Sequence, residues 1–156
     1  MEPGEAITKA PIFQHLSRPS LESIAREATV QRYAPGSLLV TEGEDAVAFF
    51  VIVNGEAEVV KGGGPAPVVL DKLGPLDFFG EMALLDGFPR SASVRALTEC
   101  ECIVLVRWDF LGLINSNPQV ALDILPVLSR RSIAWGCRLG RRRFVRLPQQ
   151  PDAQGD

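Results

Sequence analysis

Polar and apolar positions divide the chain into three textures. From residue 5 to about residue 29, Ile12, Phe13, Leu16, Leu21, Ile24 and Ala25 recur at roughly helical spacing. Arg18-Pro19 interrupts that pattern, and Ser20 is expected to cap a second short helix. The middle of the chain alternates instead. Val30 to Tyr33 runs into a turn at Ala34-Pro35-Gly36, Ser37 to Val40 into another at Glu42-Gly43-Glu44-Asp45. The longest strand-like run, Ala48 to Val53, ends at Asn54-Gly55, which predicts a β-hairpin with Glu56 to Val60. Gly62-Gly63-Gly64-Pro65 is a loop tip, Val68 to Leu70 a short strand, and Ser93 to Val106 a loosely alternating stretch. Helical texture returns from Arg107. Asn117-Pro118 reads as a cap and first-turn proline for a helix running to about Arg143, which Pro126 is expected to kink or restart. Short strands between two helical blocks, without a βαβ rhythm, predict a mainly β fold with flanking helices.

Composition adds limits. A chain of 156 residues with 46% hydrophobic and 22% charged positions suits one globular domain. No apolar run is long enough to span a bilayer, and the acidic start Met1-Glu2-Pro3-Gly4-Glu5 is unlike a secretory signal, so a cytoplasmic protein is expected. Cys100, Cys102 and Cys137 do not make a disulfide framework; Cys100 and Cys102 would share one strand face as buried thiols. With His15 the only histidine, no Ser-His-Asp, Cys-His or metal constellation is available, and neither an enzyme nor a metal site is expected. Residues 1–129 carry 9 Lys and Arg against 17 Asp and Glu, while residues 130–156 carry 7 Arg against 2 Asp. That basic end (Arg130, Arg131, Arg138, Arg141, Arg142, Arg143 and Arg146) reads as a solvated helix face or as a surface for nucleic acid, anionic lipid or an acidic partner.

One segment, Phe78 to Ala96, breaks the strand pattern with a short helical stretch at Glu81 to Leu85. Gly80 precedes it, allowing close approach of a ligand, and the free N–H groups of a helix start favour an anion. Arg90 follows Pro89 and brings a guanidinium fork suited to phosphate. A carboxylate beside such a site makes sense when the ligand also offers a donor, such as a ribose hydroxyl. Glu81 with Arg90 therefore points to a ribose cyclic phosphate. The plain alternative is a salt bridge that ties down a loop.

Phe79-Gly80-Glu81, Ala83-Leu84 and Pro89-Arg90-Ser91-Ala92 together resemble, without a gap, the phosphate-binding cassette of cyclic-nucleotide-binding domains. That family includes catabolite activator proteins, regulatory subunits of cAMP-dependent kinase, and cyclic-nucleotide-gated channels. The resemblance extends to the turns at Pro35-Gly36, Glu42-Gly43 and Asn54-Gly55, and covers roughly Ile12 to Gly140. It implies an antiparallel, jelly-roll-like β-roll with N-terminal and C-terminal helices over residues 1–145, while Pro148, Pro151 and the Gln-rich end predict a disordered tail at 146–156. It implies that Arg90 pairs with the phosphate, that Glu81 accepts the ribose 2′-hydroxyl, and that the N–H groups of Ala83 and Ser91 reach phosphate oxygens. The ligand-binding set is Gly80, Glu81, Met82, Ala83, Arg90, Ser91 and Ala92.

Either cAMP or cGMP would be the ligand, cAMP being favoured. The base would be covered by the C-terminal helix, with Leu128, Arg131, Ile133 and Trp135 as lid candidates and Trp135 equally readable as core. The expected role is a regulatory sensor whose C-terminal helix moves on binding, toward an unidentified effector or a homodimer partner through that helix. No helix-turn-helix DNA-binding domain is expected in the stretch after Arg143. Two other readings remain open: a family member with an empty pocket that serves as a protein-interaction module, and a nucleic-acid-binding protein that uses the basic end. One departure stands out. Where the family usually has Gly before Asp, this chain has Leu76-Asp77, so Leu76 must take a different turn or accept positive-φ strain.

Overall fold

A computed structural model describes residues 1–62, 65–81 and 89–138, the last eight as helix backbone. Three short helical pieces open the chain: α1 (Pro3–Lys9), a single 3-10 turn (Pro11–Phe13) and α2 (Arg18–Glu27). The cap of α2 is Ser17, not Ser20: the Ser17 side chain accepts the Ser20 N–H at 3.4 Å. Pro19 explains the difference. It lacks an N–H that the first turn would leave unpaired anyway, so Arg18-Pro19 opens the helix rather than interrupting it. Ser20 is buried instead, and its hydroxyl accepts a hydrogen bond from Asn117 at 3.1 Å.

Eight strands follow: β1 (Thr29–Tyr33), β2 (Leu38–Val40), β3 (Ala48–Asn54), β4 (Ala57–Lys61), β5 (Val68–Leu73), β6 (Phe78–Phe79), β7 (Ser93–Ala96) and β8 (Cys100–Val106). They form two antiparallel four-stranded sheets, in the orders β1-β8-β3-β6 and β2-β7-β4-β5. The fold is the expected antiparallel β-roll. One of its details differs from the sequence pattern. Asn54-Gly55 does not close a hairpin, since β3 and β4 lie in different sheets. The turn there carries the chain from one sheet to the other, and Gly55, at φ 96°, passes directly against the start of β8. The loosely alternating stretch from Ser93 to Val106 forms two strands, one in each sheet, split at Leu97–Glu99.

Strand periodicity builds two cores at once. Phe49, Val51 and Val53 point from β3 toward the helices, where they meet Ile12, Phe13, Ile24, Ile103, Leu105, Phe110 and Ile124. Ala48, Phe50 and Ile52 point the other way, into the space between the sheets, with Phe79, Val59, Leu73, Val94, Cys100 and Cys102. A central strand buried on both faces is why Ala48 to Val53 is uninterruptedly apolar. Cys100 and Cys102 do share a face, and burial pushes the Cys102 thiol up to about 12.

The chain closes with α3 (Arg107–Ser116) and α4 (Gln119–Arg138). Of the kink or restart expected at Pro126, the restart does not occur, and α4 runs through Pro126 as one helix. Proline removes one hydrogen bond there, and the carbonyl left without it belongs to Leu122, on the exposed face. Val120, Ile124, Val127 and Leu128 form the buried stripe, so Leu128 belongs to the helical core. The helix expected beyond residue 138 and the tail at 146–156 lie outside the described residues.

Leu76 accepts the strain. Its φ is 71°, alone among the described non-glycine residues in the left-handed region. Hydrogen bonds hold the turn on both sides: Asp77 N–H donates to Gly74 O at 3.0 Å, Gly74 N–H to the Asp77 carboxylate at 2.8 Å, and Leu76 N–H to Ile52 O at 2.8 Å. The Leu76 side chain packs against the helix-side core, which offsets the backbone cost. Replacing Leu76 by Ala or Gly loses that packing in both cases, but only Gly relieves the strain. Leu76→Gly should therefore be more stable than Leu76→Ala by about 1 kcal/mol in urea unfolding, the reverse of the usual order. A more stable Ala variant would show that the turn is unstrained.

Candidate functional site

The expected site residues gather where β6 leaves its sheet and β7 begins. Phe79 pairs with Phe50 across the strands, and their rings stack at 4.8 Å with an interplanar angle of 4°. This apolar platform supports the Arg90 guanidinium, whose Cζ lies 5.9 Å from the Phe50 ring centre. Arg90 Nη2 donates to Ala48 O at 2.6 Å, and Nη1 makes a longer contact with Gly80 O at 3.4 Å. The backbone of Arg90 is bracketed as well. Its N–H donates to Glu44 O at 2.8 Å, and its carbonyl accepts the Gly43 N–H at 2.9 Å. Ser93 Oγ accepts the Glu42 N–H at 2.8 Å, so one loop, residues 42–48, fixes the arginine from both ends.

Gly80 makes room for this. At φ 80°, a Cβ built on it would lie 2.5 Å from Arg90 Nη1 and 3.0 Å from Ala48 O. The absent side chain lets the guanidinium lie against the backbone at the end of β6. Burial pulls the Arg90 guanidinium below its ordinary value, and the carboxylates of Glu81 and Glu44 oppose that shift. Among the described residues this half-buried cation spends two of its five N–H donors on carbonyls, and the others suit an incoming anion.

Gly80, Glu81 and Arg90 are thus brought together, Ser91 is exposed beside them, and Ala92 is half-buried against the core between the sheets. Met82 and Ala83 lie outside the described residues, as does most of the Glu81 to Leu85 helical stretch. Arg131, Ile133 and Trp135 belong to the backbone of α4, and their side chains lie outside the description. Sequence reasoning missed Ala48 and Glu44. Both act through backbone carbonyls, which leave no signature in residue type. Phe50 also escaped notice, although its cross-strand partner Phe79 stands inside the cassette.

Among the described residues, no group of three or more His, Cys, Asp and Glu is placed to hold a metal, and no helix is long and apolar enough to cross a membrane.

The sequence profile of the cyclic nucleotide-binding domain matches residues 30–117, a span holding β1 to β8, the Arg90 cradle and α3. The chain belongs to the cyclic nucleotide-binding domain family. It is similar to a cAMP-dependent protein kinase regulatory subunit of Pyricularia oryzae, 38% identical over 109 residues, covering 70% of this chain and 27% of the relative. Among solved structures it resembles the catabolite activator protein of Thermus thermophilus, with a TM-score of 0.72 and 30% identity over 83% of this chain and 61% of that one. It also resembles the regulatory domain of Toxoplasma gondii PKA crystallised with cAMP, with a TM-score of 0.71 and 25% identity over 84% of this chain and 48% of that one. The chain spans about a quarter of the length of the fungal relative. As a cyclic nucleotide-binding domain it is a regulatory module in kind, matching regulatory subunits and transcription regulators. The two other readings gain no support from these matches.

Proposed function

We propose that this domain senses cAMP, in preference to cGMP, through the pocket around Arg90. The observation that carries this is the seating of Arg90. Two carbonyls and an aromatic platform hold its guanidinium beside Gly80, with donors left for a cyclic phosphate. Glu81, one residue after Gly80, is the acceptor for the ribose 2′-hydroxyl. Gly80, Met82, Ala83, Ser91 and Ala92 complete the lining. The preference for cAMP rests on the nucleotide named for its kinase-subunit relatives. The role is regulatory rather than catalytic, in the cytoplasm.

The output is a shift of the C-terminal helix. Arg131, Ile133 and Trp135 lie beyond Pro126 in α4, where a base lid would be drawn over the nucleotide. Leu122 and Leu125 are exposed one turn apart on the same helix and offer a face to an effector or to a second copy. Hydrogen exchange of residues 127–138 should slow when cAMP is saturating. Equal protection with and without ligand would leave a binder that does not signal through this helix.

The carboxylate is tested separately. The parent domain should bind 2′-deoxy-cAMP more weakly than cAMP by about 1–3 kcal/mol, the cost of a lost bond to a charged acceptor. Glu81→Gln should shrink that difference. If the parent binds both nucleotides equally, Glu81 does not read the ribose.

A further inference from the structure

We propose that the surface around Trp108, at the start of α3, docks this chain's own arginine-rich segment, Arg141-Arg142-Arg143-Phe144-Val145-Arg146. Trp108 is 68% exposed and stands between two grooves. One encloses about 260 Å³ and is lined by Asp45, Ala46, Val47, Arg107 and Trp108. The other encloses about 360 Å³ between Trp108, Glu27, Asp109, Gly112, Leu113 and Ser116. Together they offer an aromatic ridge, apolar walls and a carboxylate rim.

Charge selects the occupant. Glu27, Asp45 and Asp109 take part in no ion pair among the described residues. Against these three carboxylates the lining sets one guanidinium, that of Arg107. Its Nε is buried, and its Cζ rests 5.4 Å from the Trp108 ring centre. The surface is therefore acidic, and the rest of the exposed indole is open to a second cation.

The segment matches on both counts. Its arginines suit the carboxylates and the indole, with guanidinium forks able to pair with Asp or Glu. Phe144 and Val145, set among those arginines, suit the apolar walls at Val47, which is 55% exposed, and Leu113. The whole chain is divided in the same way. Residues 1–129 carry 9 Lys and Arg against 17 Asp and Glu, and residues 130–156 carry 7 Arg against 2 Asp.

Chain length permits the contact. Leu128 of α4 shares the helix-side core with Phe110, two positions after Trp108. From Leu128 the helix rises about 15 Å to Arg138. The eight residues from there to Arg146 can span up to about 27 Å. The segment is thus long enough to fold back to the start of α3, and tethering raises its local concentration there. A docked strap would fix the end of α4 against the body of the domain. The grooves contain none of the nucleotide-lining residues, so the strap stands or falls independently of the proposed ligand.

The test uses the whole chain, followed by NMR at low salt, where charge pairing is least screened. Replacing Arg141, Arg142, Arg143 and Arg146 together by Gln should move the Trp108 indole and Val47 methyl signals. The core amides of Ile52 and Leu105 should stay in place, which shows that the variant is folded. A synthetic peptide of residues 139–147, added to that variant, should return the Trp108 and Val47 signals toward their parent positions and saturate. It should bind at least fivefold more weakly when the variant also carries Glu27→Gln and Asp45→Asn. Three results would overturn the proposal. Unmoved Trp108 and Val47 signals in the arginine variant would mean that the parent segment does not dock. Equal peptide binding with and without the two carboxylates would mean that charge does not select it. Parent signals that shift on tenfold dilution would mean that the grooves take the segment of a second copy.

Discussion

Arg90→Ala is expected to weaken cyclic-nucleotide binding by about 2–5 kcal/mol, roughly 30-fold to several thousandfold, with the fold retained. The side chain is half-buried, and its removal opens space at the edge of the roll rather than in either core. What is lost is the one cation that the loop from Glu42 to Ala48 is arranged to hold. Ala48 O and Gly80 O lose a donor as well, a smaller effect that appears as a modest fall in stability. Arg90→Lys separates charge from geometry. Lysine restores a positive charge but not a fork that binds two carbonyls and a phosphate together, so it should recover only part of the affinity. Unfolding measurements on each variant establish that the protein titrated is folded. Binding of the Ala variant within a few-fold of the parent would remove Arg90 from the site.

Gly55→Ala is expected to destabilise the domain by about 3 kcal/mol, combining left-handed strain of roughly 1–2 kcal/mol with an overpacking cost of similar size. The position has no slack. A Cβ there would collide with the Glu99 carbonyl oxygen and lie 2.9 Å from Cys100 Cα. Both are backbone atoms at the head of β8, the strand that pairs with β1 and β3 in the middle of its sheet. Relief requires moving either β8 or the crossing from β3 to β4. For a domain of this size the expected fall in melting temperature is about 10 °C. In urea the midpoint should drop with little change in slope. A change below about 0.5 kcal/mol would mean that the crossing adapts, and that the two sheets are not locked together at this point.

The contrast between these two positions shows what the sequence made legible. Arg90 was readable because its side-chain chemistry does the work and its neighbours Pro89, Gly80 and Glu81 lie within ten positions. Gly55 was readable as a turn but not as a crossing. Asn-Gly specifies a reversal, and nothing local states which strand will pair across it. The pairing is decided by β3 having two apolar faces, which commits it to the centre of one sheet with β8 and β6, and leaves β4 to the other. The run from Ser93 to Val106 was readable only as a loosely alternating stretch, because its turn at Leu97–Glu99 holds neither Gly nor Pro to mark a division. Leu76 went the other way. The departure from the family glycine announced either strain or a new turn, and the chain keeps the turn at the cost of strain. The carbonyl cradle of Ala48 and Glu44 was beyond reach of sequence, because any residue presents the same carbonyl.

The central claim is that Arg90 and Glu81 form a pocket for a ribose cyclic phosphate. Calorimetric titration of the intact chain with cAMP, cGMP and linear 5′-AMP tests it most directly. The account predicts saturable one-to-one binding of cAMP, weaker binding of cGMP, and binding of 5′-AMP at least about tenfold weaker than cAMP, a loss of roughly 1.4 kcal/mol. Folded protein that binds neither cyclic nucleotide, or that binds 5′-AMP as tightly as cAMP, would contradict it.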